Sequence, residues 1–146
     1  MGTPFTELYW LNKGRQLDAY LKETLSPERY QHSRRVARVA RVLAARFGES
    51  PSRAWFAGLA HDVAREWSVP ELKAWIQEHG DDLLPDHREK EILAHGHAGA
   101  WLLRHRFGIR RHSVLEAIRH HTLGLEHLDT LGLILFAADY MEPGRK

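Results

Sequence analysis

The sequence predicts an all-α domain, and three observations carry that reading. Apolar residues recur at helical spacing in every long segment, Ser-Pro pairs and single glycines fall where helices should start and stop, and no segment alternates apolar with polar residues. Leu17, Tyr20, Leu21 and Leu25 mark a first amphipathic helix over about residues 5–25. It stops at Ser26-Pro27, because Ser caps a helix start and Pro fits the first helical position, where its missing N–H costs nothing. The second helix runs to about Phe47, with Gly48 as its stop. Ser50-Pro51 repeats the start signal and opens a third helix through Trp55, Phe56, Leu59 and Val63. Ser68 begins a fourth, with Leu72, Trp75 and Ile76 on one face and Gly80 at its end. Residues 81–88 are polar and contain Pro85, so they read as a loop. A fifth helix covers about His97 to Phe107 before Gly108, a sixth about Ser113 to His121, and a seventh about Asp129 to Met141.

The 146 residues suffice for one hydrophobic core, and no repeat or linker divides them, so residues 1–146 read as a single domain. An apolar share of 43% with 27% charged residues is ordinary globular composition and excludes a disordered tail. With Cys 0 there is no thiolate nucleophile, iron–sulfur cluster or redox pair, which fits a reducing cytoplasm. No run approaches the roughly 20 apolar residues of a membrane span, and the start lacks a secretory pattern. No membrane partner is expected. Nor is nucleic acid, since 19 acidic residues nearly cancel 21 basic ones and no long basic block occurs. The unusual count is His 11, so the decisive question is which histidines stand where an apolar residue belongs.

In the second helix Val36, Val39, Ala40 and Leu43 form the apolar stripe, and His32 lies one turn before Val36 on the same face. The third helix is apolar nearly all round from Ala54 to Ala64, yet carries His61-Asp62. A buried carboxylate beside a buried imidazole is costly unless each is paired or bound to a cation. His121 shares a face with Val114, Ala117 and Ile118, and Asp139 closes the most apolar run of the chain, Leu131 to Ala138. Several helices thus aim His32, His61, Asp62, Asp139 and His121, with His95 beside them, at one core. Imidazole with carboxylate and no thiolate suits an open site for Fe, Mn, Co, Ni or Zn. His79, His87, His105, His112 and His127 have solvated contexts and read as surface residues.

The order His32, His61-Asp62, Asp139 resembles the H…HD…D signature of the HD-domain metal-dependent phosphohydrolases. Four blocks sharpen the likeness: Arg29-Tyr30-Gln31-His32-Ser33, Ala57 to Arg65, Ala117-Ile118-Arg119-His120-His121-Thr122-Leu123-Gly124, and Ala138-Asp139-Tyr140-Met141-Glu142-Pro143-Gly144-Arg145. Together they resemble the YqeK family over about residues 15–146. That resemblance implies an HD-domain helical bundle with a metal site in the helix core. It also implies symmetrical hydrolysis of diadenosine tetraphosphate, a dinucleoside polyphosphate substrate, to two ADP. Iron is the implied metal, as two ions. His32, His61, Asp62 and Asp139 are the implied ligands of one, and His95 and His121 those of the other, with Asp62 bridging. His97 offers the same donor two residues on, and the register leaves the choice between His95 and His97 open. Arg65 stands where relatives more often have Lys, and Leu133 where many have Lys. Relatives continue through further C-terminal helices, which this sequence stops short of. A homodimer is compatible with the resemblance.

A phosphoanhydride repels hydroxide, so the site must generate a nucleophile near neutral pH and cancel phosphoryl charge, which two ions about 3.5–4 Å apart accomplish. Asp62 then bridges and orients water, and Arg65 and Arg145 hold the outer phosphates. On this reading, metal-free protein crowds Asp62 against Asp139, and Asp139→Asn relieves the repulsion. Two other readings stay open: an HD phosphohydrolase for nucleoside monophosphates, cyclic dinucleotides or alarmones, and a non-catalytic, metal-stabilised interaction module.

Overall fold

The structure, a computed structural model, describes residues 4–79, 94–122 and 128–144. Among them are seven helices and no strand: α1 (Pro4–Thr24), α2 (Pro27–Arg46), α3 (Pro51–Ala60), α4 (Val69–His79), α5 (His95–Phe107), α6 (His112–Arg119) and α7 (Thr130–Met141). Both Ser-Pro signals act as expected. Ser26 Oγ accepts from the Arg29 amide and Ser50 Oγ from the Arg53 amide, each satisfying a donor that the first helical turn leaves without a partner. Ser68 and Glu71 cap α4 reciprocally, Oγ to the Glu71 amide at 3.2 Å and the Glu71 carboxylate to the Ser68 amide at 2.8 Å. Gly108 ends α5 at φ 68°, a conformation that glycine adopts without strain. The expected loop at 81–88 and the stop at Gly80 lie outside the described residues.

Helix α3 is shorter than the apolar pattern implies. It ends at Ala60, and residues 61–66 continue as tight turns, with Val63 N bonded to Ala60 O at 3.0 Å and Arg65 N to Asp62 O at 2.9 Å. The His61 ring takes up the Gly58 carbonyl at 2.7 Å, one of the acceptors that a helix end exposes. Glu66 then ties this turn to the start of α2 through the Ser26 amide and hydroxyl, both at 2.7 Å.

Helix α3 lies at the centre, packed against α1, α2, α6 and α7. Leu17 and Leu21 of α1, Val36 of α2, Phe56 and Leu59 of α3, Leu103 of α5, Ile118 of α6 and Leu135 of α7 are fully buried around it. Each such side chain contributes about 1.5–3 kcal/mol relative to exposure. The α2–α3 crossing is very close: a Cβ added to Gly58 would lie 2.5 Å from Ala37 Cα. A smaller cluster of Ala64, Leu72, Trp75, Ala94 and Ala98 seats α4 on the start of α5. None of the described helices is long and apolar enough to cross a membrane.

Candidate metal centre

Five parts of the chain deliver donors to one point. His32 comes from α2, where the helical period turns it to the side of buried Val36. His61 and Asp62 come from the turn that ends α3, His95 from the first residue of α5, His121 from just past α6, and Asp139 from the last turn of α7. Asp62 divides these donors between its two oxygens. Oδ2 faces His61 Nε2 at 3.3 Å and His32 Nε2 at 3.7 Å, while Oδ1 faces His95 Nε2 at 3.3 Å and His121 Nε2 at 3.4 Å. Asp139 Oδ1 joins the first group, 3.1 Å from His32 Nε2 and 3.6 Å from His61 Nε2. In the second group the His95 and His121 Nε2 atoms are 3.0 Å apart.

Every imidazole turns the same nitrogen inward, and for three of them hydrogen bonds on the other ring nitrogen explain why. His61 Nδ1 donates to Gly58 O at 2.7 Å, His121 Nδ1 to Ile118 O at 2.6 Å, and His32 Nδ1 to Glu142 Oε1 at 3.1 Å. An acceptor on Nδ1 holds the proton there and leaves Nε2 to face the carboxylates, the arrangement of histidines that ligate metals.

The electrostatics follow from burying carboxylates among imidazoles. Burial works against the His61 imidazolium, but the Asp62 and Asp139 carboxylates overcome it and push its pKa up to about 10. Burial likewise opposes ionisation of Asp62, yet His61, His121 and His95 hold it well below the usual carboxylate range. Asp139 is lowered too, against burial, by His32 and His61, and burial lowers His121. The donor set fits a metal ion. His61 Nε2 is fully buried and makes no hydrogen bond among the described residues, and the Asp62 and Asp139 oxygens stand 3.3 and 3.6 Å from it. Donors bound to one ion at ~2.1 Å lie about 3.0–3.4 Å from one another, close to the separations found in both groups. The triplets His32–His61–Asp62 and Asp62–His95–His121 could each hold an ion.

Of the two candidates in the fifth helix, His95 joins this cluster. His97, also buried, instead sets its ring against His120, with centroids 5.5 Å apart. Helix α5 starts at His95 and not His97, which brings the earlier histidine to Asp62. Arg65 is half-buried in the turn after Asp62, whereas the cation paired with the cluster among the described residues is Arg29. Arg145 lies outside the described residues, as do His87 and His127; His79, His105 and His112 are exposed. Two residues at the centre escaped sequence reasoning. Arg29 Nη1 pairs with Asp62 Oδ2 at 3.0 Å, and its sequence signals are its place one turn before His32 and at the head of the Arg29–Ser33 block. Glu142 is almost completely buried against His32, and its signal is its place three residues after Asp139.

The HD domain pattern matches residues 29–144 of this chain. The chain belongs to the HD-domain family. A Staphylococcus aureus protein named symmetrical bis(5'-nucleosyl)-tetraphosphatase is 36% identical over 85% of this chain and 63% of its own length. One of the same name from Halalkalibacterium halodurans is 34% identical over 93% of this chain and 72% of its own. The chain thus spans about two thirds of these relatives and groups with them within the HD-domain family. In three dimensions it resembles a Clostridium acetobutylicum protein described as a predicted HD superfamily hydrolase involved in NAD metabolism. The TM-score is 0.83 at 34% identity, covering 90% of this chain and 70% of that one.

Proposed function

We propose that this chain is a metal-dependent hydrolase that cleaves diadenosine tetraphosphate, and related dinucleoside tetraphosphates, symmetrically to two ADP. One observation carries the reading: a single carboxylate, Asp62, presents one oxygen to each of two histidine pairs. His32, His61, Asp62 and Asp139 would hold one divalent ion and Asp62, His95 and His121 a second, with iron the proposed metal and manganese the nearest substitute. Such a centre supplies Lewis acidity, bringing the pKa of water near neutrality and offsetting the charge of phosphoryl oxygens.

The chain's own residues do the rest. Asp62, pinned from both sides, is the acceptor that orients the attacking water. Arg29, 31% exposed at the rim beside Asp62, can turn its remaining donors to a phosphate, and Arg65 lies three residues along the same turn. Arg145 is assigned the outer phosphates with Arg65 on the family resemblance. In the reaction the water oxygen bonds to one inner phosphorus, and the bond from that phosphorus to the oxygen bridging the two inner phosphates breaks. One ADP leaves with the bridging oxygen and the other keeps the water oxygen. Guanidinium donors placed in advance on those phosphates stabilise the charge that grows on the leaving ADP. We place the reaction in the cytoplasm, with the dinucleotide as the partner.

The test is the product pattern. Diadenosine tetraphosphate should give ADP as sole nucleotide product, with turnover abolished by a chelator and restored by iron or manganese. AMP plus ATP would mean attack at an outer phosphorus and would overturn the reading, as would turnover confined to monophosphates.

A further inference from the structure

We infer that Glu142 is the positioning residue that fixes the tautomer and aim of His32, and that it thereby sets the metal affinity of the Asp139 half of the centre. This rests on the metal-centre reading above. Glu142 follows the end of α7, and its side chain is 1% exposed. Oε1 accepts from His32 Nδ1 at 3.1 Å, while Oε2 accepts from Arg35 Nε and from the Gly144 amide, both at 2.7 Å. Both oxygens are therefore committed as acceptors, and Arg35, one turn from His32 on α2, locks the carboxylate in place.

This distinguishes His32 from His61 and His121. His61 and His121 are oriented by backbone carbonyls three residues earlier in their own segments, so their geometry is local. His32 depends on a side chain 110 residues away. A metal on Nε2 requires the proton to stay on Nδ1, and that proton needs an acceptor there. Glutamine cannot replace glutamate in this position. Its single carbonyl oxygen can serve either the Arg35 and Gly144 donors or the His32 proton, not both. With two donors on the Oε2 side, the oxygen settles there and the amide NH₂ faces His32 Nδ1. That NH₂ can only donate, so Nδ1 must give up its proton to Nε2, the nitrogen meant for the metal.

The experiment compares parent, Glu142→Gln and Glu142→Asp by zinc titration with a competing chelator, following imidazole ¹⁵N and ring proton signals. In the zinc-loaded parent, His32 should bind through Nε2 and show a hydrogen-bonded Nδ1 proton. In Glu142→Gln the titration step that moves the His32 signals should weaken about 10- to 100-fold, and the Nδ1 proton should disappear. The His121 ring should keep its Nδ1 proton. Glu142→Asp, which keeps two acceptors, should recover part of the affinity. Unchanged zinc affinity in Glu142→Gln, with His32 still bound through Nε2, would overturn the role of Glu142. So would a lowered melting temperature of the metal-free variant with no change in zinc affinity, the mark of a purely structural residue. A parent protein that binds no zinc at His32 would instead defeat the metal-centre reading itself.

Discussion

Asp139→Asn changes one charge with almost no change of shape, and the structure reverses the effect that the sequence pattern implies for it. Crowding of Asp62 and Asp139 in metal-free protein argues that Asn relieves repulsion. In the structure both carboxylates instead face the His61 imidazolium, whose pKa they raise to about 10. The attraction between Asp139 and that cation, at 3.6 Å, is about 4–5 kcal/mol at an effective dielectric of ~20. The opposing repulsion can be bounded, because Asp62 and Asp139 oxygens touch the same nitrogen at 3.3 and 3.6 Å and so lie within about 7 Å of each other. At that separation it is at least about 2.4 kcal/mol. The net contribution of Asp139 is therefore favourable by up to about 2 kcal/mol, and Asn, which keeps an oxygen for hydrogen bonding, should lose about 1–2 kcal/mol. For a domain of this size that is a fall of about 3–7 °C in melting temperature. The pH dependence fixes the cause. A raised histidine pKa contributes stability that is complete below its ordinary value of 6.5 and is lost as pH rises through about 10. The deficit of the variant should thus be full in mildly acid solution, shrink with alkalinity, and change sign once His61 is neutral and only the repulsion remains. Thermal unfolding of both metal-free proteins across that range measures it. A variant more stable than its parent at neutral pH, or a deficit independent of pH, would refute the assignment of Asp139 as a partner of the His61 cation.

Metal binding should expel a proton from His61, which is protonated at neutral pH in metal-free protein, so affinity should rise about tenfold per pH unit from neutrality toward about pH 10. Calorimetry in buffers of different ionisation enthalpy counts the protons released, and a flat affinity profile would contradict the raised pKa. Gly58→Ala would set a Cβ 2.5 Å from Ala37 Cα and 2.8 Å from Ala37 N, both backbone atoms that cannot turn aside. It should cost at least about 1–3 kcal/mol in chemical unfolding, and zinc affinity should fall with it because the displaced Gly58 carbonyl orients His61.

The parts of the site that were legible in the sequence are those that violate a helical pattern. His32 and Asp139 stand where the period calls for an apolar residue, and Asp62 lies in a segment apolar on every side, so each has an energetic oddity that one sequence exposes. Glu142 has none. Its neighbours Tyr140 and Met141 are 70% and 58% exposed, and nothing local marks the next residue as buried; only the approach of α2, with His32 and Arg35, does that. Arg29 was hidden for a similar reason, since an arginine at the start of a helix is unremarkable until Asp62 is found 3.0 Å away. The choice between His95 and His97 depended on where α6 places His121, which no periodicity within α5 contains. The end of α3 was misread because Val63 and Ala64 continue the apolar pattern, while the helix is closed by a side chain, the His61 ring on Gly58 O.

The same backbone atoms that allow close packing also orient the clustered histidines, and this joins the fold to its proposed chemistry. Six side chains can meet within a few ångströms only if the segments carrying them approach almost to backbone contact. Gly58 gives that approach between α3 and α2, and its carbonyl receives the His61 proton. Gly96 gives it between α5 and α6, where an added Cβ would lie 2.8 Å from the Ile118 and Arg119 carbonyl oxygens. The Ile118 carbonyl is the acceptor that holds His121. A side chain at position 96 would therefore do more than spread two helices. It would push on the atom that aims His121 while moving His95, its own neighbour, away from Asp62, so both imidazoles of that half would lose register together. Interiors are packed too densely to absorb such a shift locally. On the proposed metal-centre reading, small residues at these two crossings act on metal affinity from positions that touch neither ion nor substrate, and a change at either should weaken one half of the centre before the other.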